Sequence, residues 1–365
     1  MRFSQFTILI SVPLAARVAY TAAPERCVFD GKAPEDRGQF TAAKLDQAGD
    51  VTRAFIAAMT HSCWVTQKDQ TKIGGYLAEH GWELARDLIE PNGSGGLAYV
   101  AHHKESGDLI VVFRGTGAKG LKNVGNLVAN IGADANARPK KITWLPTKAG
   151  GAWKRLGARA LATWKAIKVH AGFTNQYSKF AATIESAVKD ALAAKRVTRI
   201  ICSGFSLGAA LATHCGLHMT LRFDTPVAVL VGASPRVGSP QFQTAYDRQV
   251  PAIVRVMLER DPVPQMPGLL LRKAYEHVGR LLPLYDTKDD KSRAALHGRP
   301  LDAKALGDAQ SFLGTLKGAV KKFARYHNYL RYKETVRAYL KLCESELKCT
   351  GDQLFRWGNA ERNAK

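Results

Sequence analysis

The feature that most constrains the fold is an apolar run that stops at a glycine–serine–glycine turn and resumes as an alanine-rich run. Residues 197–212 read "VTRIICSGFSLGAALA". The first half is typical of a strand buried inside a sheet, and the second half is typical of a helix. A strand that becomes a helix within two residues needs small residues beside the bend, because side chains there would collide. We therefore predict that Ser206 stands above the carboxyl edge of a sheet, on a bend between Gly204 and Gly208.

The rest of the chain alternates the same two kinds of pattern. The run "GGLAYVAHHKESGDLIVVFRGT" predicts a hairpin with 109–113 as its second strand, and "AYEHVGRLLPLY" predicts an edge hairpin. Strands that alternate with helices predict an α/β domain with a mainly parallel central sheet and helices on both faces. The expected helices are 41–59, 74–88, 172–194, 207–221 and most of 312–348, and the other expected strands are 197–203, "TPVAVLV" and "AIVRVMLE".

Composition predicts one domain with flanking segments. Residues 1–23 contain an early arginine and an apolar stretch that resembles a secretory signal peptide, although Arg17 interrupts it. Such a peptide predicts a secreted or membrane-associated protein, whereas an apolar N-terminus kept in the mature chain leaves an intracellular location open. No linker-like break separates two cores, so we assign 24–348 to one domain. Within it 286–311 is a polar loop, and after it 349–365 is a polar C-terminal tail.

The six cysteines do not decide the compartment. Cys202, in the strand before the serine, and Cys215, in the helix after it, are expected to be buried and inert. The cysteine spacing does not suggest a zinc site, and we predict neither a metal nor a cofactor. The pairs that could form in an oxidising compartment are Cys27 with Cys63 and Cys343 with Cys349.

A serine at such a bend predicts nucleophilic catalysis, which needs two more side chains. A base must accept the serine proton, and a carboxylate must orient the base. In this type of fold the acid and then the base follow the serine along the chain. Asp261 fits the acid because it follows the strand "AIVRVMLE" at the same sheet edge, although a turn or capping role is the alternative. For the base we favour His327, beside an aromatic-rich segment that could hold its ring, over His297 in a polar loop and His277 in "YEHVG".

Two groups are expected to stabilise the oxyanion that forms when a serine attacks an ester. The helix after the bend begins at Leu207, and its free N–H groups face the reacting atoms. The strand "VVFRGT" ends in Thr116, whose backbone N–H and hydroxyl group could donate from the opposite side.

Several of these segments, taken in chain order, resemble the class 3 (fungal-type) lipase family. They are "VVFRGT", "VHAGF", "CSGFSLGAALA", "GASPRVGSPQF", "VRVMLERDPVPQMP" and "YEHVG". The resemblance implies an α/β-hydrolase fold. It also implies a triad of Ser206, Asp261 and His327, with Thr116 and Leu207 at the oxyanion hole.

The same resemblance implies a serine carboxylester hydrolase that acts on acylglycerol or phospholipid esters at a lipid–water interface. The chain departs from the family at Phe205, where histidine is usual, and at Ala209, where glycine is usual. The Phe205 side chain is expected to point away from the reacting groups. Three alternatives stay open: phospholipase A1-type activity on anionic membranes, a lipase-like interaction module without catalysis, and a nucleic-acid binder supported by charge alone.

The chain is strongly basic, and part of the charge is concentrated after "VVFRGT". The formal net charge is +22, which favours acidic partners such as anionic lipid. The basic insertion 117–169 occupies the place of the family's lid, and no acidic residue occurs between Asp134 and Glu185. A basic amphipathic helix with tryptophans suits a membrane surface, and an ordinary helix packed on the core is the alternative. The expected interface residues are Trp153, Lys154, Arg155, Arg159 and Trp164.

Overall fold

The structure of the chain is a computed structural model. It describes residues 40, 48–67, 69–91, 96–116, 138–148, 157–258, 261–267, 274–284, 327, 329–342 and 356–357. The helices are α1 Ala48–Trp64, α2 Gln70–Glu79, α3 Ala158–Ala166, α4 Ala171–Ala194, α5 Leu207–Arg222, α6 Pro240–Gln249 and α7 Tyr329–Leu342. The strands are β1 Trp82–Leu84, β2 Ala98–His103, β3 Asp108–Phe113, β4 Pro139–Lys141, β5 Lys168–His170, β6 Arg199–Phe205, β7 Val227–Gly232, β8 Ile253–Leu258, β9 Arg280–Leu284 and β10 Arg356–Trp357.

A central sheet of eight strands organises this part of the chain. Its spatial order is β1-β2-β3-β6-β7-β8-β9-β10. The five strands β3, β6, β7, β8 and β9 pair parallel with one another in that order. The outer strands β1, β2 and β10 pair antiparallel. The predicted α/β class with a mainly parallel sheet is confirmed.

Both faces of the sheet are covered, which explains why its strands are apolar at successive positions. In β3, Val111 faces the core formed with α3, α4, α5 and α6, whereas its neighbour Val112 faces the core formed with α1, α2 and α7. Strands that are buried on both sides read as continuous apolar runs. Among the residues described, no helix is both long and apolar enough to cross a bilayer.

The structure corrects two predicted elements. The predicted helix 74–88 ends early, because Gly81 has a φ of +79° and the chain continues as β1. Gly81 follows the helix cap His80, and a glycine at that place is a common stop signal. The segment "AYEHVGRLLPLY" is not a hairpin: β9 begins at Arg280 and pairs parallel with β8.

Other predicted segments are described only in part. The predicted polar loop 286–311 lies outside the described residues, and so does the predicted N-terminal segment 1–23. Of the predicted helical region 312–348, the structure describes α7 and His327. In the predicted C-terminal tail, β10 pairs with β9.

A buried histidine in α5 makes stability depend on pH. His214 lies between Tyr177, which stacks on it, and Trp144, whose Nε1–H donates to His214 Nδ1 at 3.3 Å. Burial, with a smaller contribution from His170, lowers the pKa of His214 to about 3. In the unfolded chain a histidine binds a proton near pH 6.5, so the unfolded state binds more protons between pH 6.5 and pH 3. The free energy of unfolding therefore falls as pH drops through this window.

We expect His214→Gln to reduce this pH dependence, because glutamine offers Trp144 an acceptor but does not titrate. Between pH 6.5 and pH 5 the wild type should lose about 2 kcal/mol more stability than the variant, at ~1.4 kcal/mol per pH unit. Urea unfolding at both pH values measures the difference. Equal losses in the two proteins would show that His214 is not buried in its neutral form.

Candidate active site

The bend at Ser206 has the sharp geometry that the sequence predicts. Ser206 separates β6 from α5 and has φ 60° and ψ −125°, a backbone conformation that few residues other than glycine adopt. A Cβ atom at Gly204 would lie 2.3 Å from the Gly208 carbonyl oxygen, and one at Gly208 would lie 2.3 Å from the Phe113 carbonyl oxygen. Both glycines are therefore required by close backbone contacts. Strained backbone of this kind is concentrated at functional sites.

Three side chains that are distant in sequence form one hydrogen-bonded chain at this bend. His327 Nε2 lies 2.7 Å from Ser206 Oγ, and His327 Nδ1 lies 2.9 Å and 3.1 Å from the carboxylate oxygens of Asp261. A carboxylate only accepts, so Nδ1 carries the proton and Nε2 accepts the serine hydroxyl group. All three are buried, with Asp261 0% exposed. This arrangement can move a proton from the serine to the imidazole ring and stabilise the resulting cation.

Two further donors hold the carboxylate of Asp261. The Val263 N–H donates to Oδ1 at 2.9 Å, and the Tyr332 hydroxyl group donates to Oδ2 at 2.6 Å. Tyr332 is fully buried in α7 and also accepts from the Leu258 N–H at 3.0 Å. The sequence analysis expected aromatic residues near His327 to hold its ring, and it missed that one of them holds the acid.

The expected position of the Phe205 side chain is wrong. Its ring centroid lies 4.9 Å from that of His327, with the planes tilted by 32°, and 5.1 Å from that of Tyr332 in an edge contact. The physical reason is strand alternation. Phe205 faces the side of the sheet covered by α1 and α7, and α7 packs where it brings Tyr332 onto the same side. The ring therefore packs against the imidazole.

The groups expected to bind an oxyanion lie next to the bend. A Cβ atom at Gly115 would be 2.9 Å from the Phe205 carbonyl oxygen, so the turn after β3 packs directly against the end of β6. Thr116 Oγ1 is buried and has no hydrogen-bond partner among the residues that the structure describes. Leu207 begins α5, where the first N–H groups have no acceptor within the helix. A buried hydroxyl group without a partner is costly in stability, which fits a donor kept for a ligand.

Of the other two candidate histidines the structure describes His277, which is not in this cluster. His277 is buried, and its Nε2 lies 2.8 Å from the Pro264 carbonyl oxygen, outside any strand of the sheet. His297 lies outside the described residues. Within the ranges that the structure describes, no group of three or more His, Cys, Asp or Glu side chains is placed to hold a metal ion.

Cys202 and Cys215 are buried, as expected, but they are not free thiols. They are joined by a disulfide with their Cα atoms 6.1 Å apart. Because Cys202 is in β6 and Cys215 is in α5, the bond ties the strand and the helix on the two sides of Ser206. Cys63 is also disulfide-bonded.

The structure also corrects part of the predicted membrane-interface set. Trp164 in α3 is buried, with its ring centroid 6.2 Å from that of Phe242, because the apolar side of α3 completes the core. It is therefore not available to a membrane surface in this structure. Arg159 is exposed on the opposite side of the helix. The other predicted interface residues, Trp153, Lys154 and Arg155, lie outside the described residues.

The fold and the site together define a class. A mainly parallel sheet with covered faces, a serine on a strand–turn–helix bend, and an acid and a histidine that follow it along the chain are the features of the α/β-hydrolase fold. Residues 110–271 match the family model described as Lipase (class 3). The part of the chain that this model covers is therefore similar to class 3 lipases.

Individual relatives match only parts of the chain. A secreted mono- and diacylglycerol lipase of Fusarium solani is 36% identical over 110 residues, 30% of this chain and 32% of the relative. Phospholipase A1-II 5 of Oryza sativa subsp. indica is 28% identical over 145 residues, 36% of this chain and 30% of the relative. The matched parts thus span about a third of these relatives' own length. The triacylglyceride lipase structure of Rhizomucor miehei is 21% identical, covers 63% of this chain and 79% of its own, and has a TM-score of 0.48.

We expect Tyr332→Phe to slow the reaction of Ser206 with a serine-directed fluorophosphonate probe. The variant removes one hydrogen bond to Asp261, and the less firmly held carboxylate should orient His327 less well. A fall of about tenfold, or ~1.4 kcal/mol, is expected for one hydrogen bond to a charged group. The measurement is the rate at which the probe labels the protein under conditions where both variants and the wild type are fully folded.

Tyr246→Phe is the matched control. Tyr246 is also a fully buried tyrosine, and its hydroxyl group donates to the Thr213 carbonyl oxygen at 2.9 Å, away from the triad. It should lower thermal stability to a similar extent without changing the labelling rate. Equal slowing in both variants would mean that Tyr332 acts only through stability.

Proposed function

We propose that the protein is a serine carboxylester hydrolase of lipase type, which cleaves acylglycerol or phospholipid ester bonds at a lipid–water interface. The observation that carries the proposal is the hydrogen-bonded chain from Ser206 Oγ through His327 to Asp261. Relatives named as a mono- and diacylglycerol lipase and as a phospholipase A1 support the substrate class.

The proposed reaction has two halves. His327 Nε2 accepts the Ser206 proton as Oγ attacks the ester carbonyl carbon, and Asp261 stabilises the imidazolium ion. The oxyanion that develops accepts from the Leu207 N–H and from Thr116. When the tetrahedral intermediate collapses, His327 donates its proton to the leaving alcohol and the acyl group stays on Ser206. In the second half, water attacks the acyl-enzyme with the same proton transfers, which releases the fatty acid and restores the serine.

The burial of the site supports a lipid substrate. Ser206 is 4% exposed and His327 is 3% exposed, so the reacting groups lie among other side chains with little contact to water. An apolar acyl chain gains free energy when it leaves water for such surroundings. A water-soluble ester offers much less apolar surface, so a lipid aggregate is the better substrate.

Two narrower features belong to the same proposal. An anionic membrane or lipid surface is the expected partner, because the net charge is +22, and nucleic acid is not expected. Secretion is the proposed location, supported by the apolar residues 1–23 and by a relative named as secreted. Phospholipase A1-type activity on anionic membranes is the alternative substrate assignment. A catalytically silent interaction module is the alternative class, and inertness to the fluorophosphonate probe would favour it.

We expect Ser206→Ala and His327→Ala to lower ester hydrolysis by a factor on the order of 10⁴. Each removes one member of the proton-transfer chain, and the loss of a hydroxyl group at the bend should leave the fold intact. The assay compares a soluble short-chain ester, emulsified triacylglycerol and phospholipid vesicles, which also ranks the two substrate assignments. His297→Ala is the control and should stay active. Activity of Ser206→Ala within tenfold of wild type would contradict the proposal, and an inactive His297→Ala would contradict the choice of histidine.

We expect Thr116→Val to lower kcat roughly 10²-fold with a smaller effect on KM. Valine keeps the shape of threonine and the backbone N–H but removes the hydroxyl group, and the Leu207 N–H remains as a donor. Steady-state kinetics on the soluble ester separate the two constants. An effect confined to KM would show that the hydroxyl group contacts the substrate but not the oxyanion.

A further inference from the structure

Two short strands form a small basic ribbon, one strand within the basic insertion 117–169 and the other at its end. It consists of β4 and β5, which pair antiparallel with Lys141 opposite Lys168. Arg138, Lys140 and Lys141 are exposed, as is Lys168, whereas Val169 of β5 is fully buried and anchors the ribbon to the core. Two like charges directly opposite on paired strands destabilise the pair. The ribbon therefore concentrates positive charge at a cost to its own stability.

Within the residues that the structure describes, the charge of the ribbon is not neutralised by carboxylates. None of its four cations forms an ion pair in the described parts of the chain, and Lys140 Nζ instead donates to the neutral Asn175 Oδ1 at 3.0 Å. Along the chain, residues 135–184 also contain no acidic residue. Some cations elsewhere are paired, such as Arg199 with Asp108 and Arg222 with Glu185.

The ribbon lies at the same edge of the sheet as Ser206. Val169 forms a β-bridge with Gly238, and the His170 N–H donates to the Val237 carbonyl oxygen. Both partners belong to the segment that leaves the carboxyl end of β7. The last residue of β7, Gly232, accepts from the Ser206 N–H at 3.0 Å. A membrane that binds the ribbon therefore lies on the side of the molecule where the edge of the sheet carries Ser206.

We propose that the basic ribbon of Arg138, Lys140, Lys141 and Lys168 docks the protein on an anionic phospholipid bilayer with the Ser206 edge towards the membrane. Anionic headgroups form a dense, laterally extended layer of negative charge, which can contact several exposed cations at once, among them Lys141 and Lys168 on one face of the ribbon. Each Lys or Arg near such a surface strengthens binding by about fivefold, less at high salt. This proposal concerns binding alone, so it holds or fails separately from the proposed hydrolysis.

One alternative explanation is that Pro139 and the lysines only protect an exposed edge strand from pairing with other chains. In that case the charges would affect aggregation and not membrane binding. A second alternative is that the ribbon binds the phosphates of nucleic acid. The experiment has to separate both from docking on a bilayer.

The test measures co-sedimentation with vesicles of phosphatidylglycerol and phosphatidylcholine, and with vesicles of phosphatidylcholine alone. The full chain carries Ser206→Ala, so the vesicles stay intact whatever the enzyme does. In the ribbon variant all four cations are replaced by glutamine. In the control variant the same number of exposed cations elsewhere are replaced by glutamine, namely Lys72, Arg86, Lys179 and Lys189. A third variant, with Lys140, Lys141 and Lys168 all replaced by arginine, keeps the charge.

We expect the ribbon variant to bind anionic vesicles on the order of a hundredfold more weakly at low salt, and the control variant to lose much less. The arginine variant should bind like the parent protein, which excludes misfolding as the cause. Binding to neutral vesicles should be weak for all four proteins. Equal losses in the ribbon and control variants would overturn the proposal, because binding would then follow net charge. Binding of the same proteins to duplex DNA is measured in parallel. A ribbon variant that loses binding to duplex DNA but keeps binding to anionic vesicles would overturn the proposal in favour of nucleic acid.

Discussion

The close approach of three backbone segments at the bend is the constraint on which the rest of the site depends. The chain can pass from β6 into α5 through Ser206 only because Gly204 and Gly208 carry no side chains where carbonyl oxygens lie. The central position of β6, between β3 and β7, then decides what can surround the serine. The turn after β3 supplies Thr116, and the disulfide between Cys202 and Cys215 holds strand and helix together. The geometry of the serine is thus set by packing of backbone against backbone.

The second requirement is that α7 be fixed against the opposite face of the sheet. It contributes Tyr332, which contacts the carboxylate of Asp261 and the backbone of Leu258 at the end of β8. Phe205 fills the space between Tyr332 and His327, so the imidazole ring packs on an aromatic surface and is hydrogen-bonded at both nitrogens. Buried polar networks of this kind are rigid when every member is satisfied. The hydrogen-bonded chain of Ser206, His327 and Asp261 is therefore part of the buried core.

Charge is distributed over the molecule in a way that the net value does not reveal. Several cations away from Ser206 are paired with carboxylates, as Lys195 is with Glu83. In the described residues the β4–β5 ribbon has no such partners, and it lies near the edge that carries Ser206. In the described part of the basic insertion, helix α3 packs on the core through Trp164. Exposed cations lie on the ribbon and, at Arg159, on the outer side of α3.

The sequence by itself determined the features that local sterics control. The bend at Ser206, the strands buried on both faces and the position of Asp261 after β8 follow from short patterns, because glycine placement and apolar runs act over a few residues. The tertiary structure decided what depends on contacts between distant segments. It brought His327 to an aspartate 66 residues away, paired Cys202 with Cys215, and turned Phe205 towards the imidazole ring. Burial of Trp164 depends in the same way on where α6 packs, and no periodicity within α3 encodes that position.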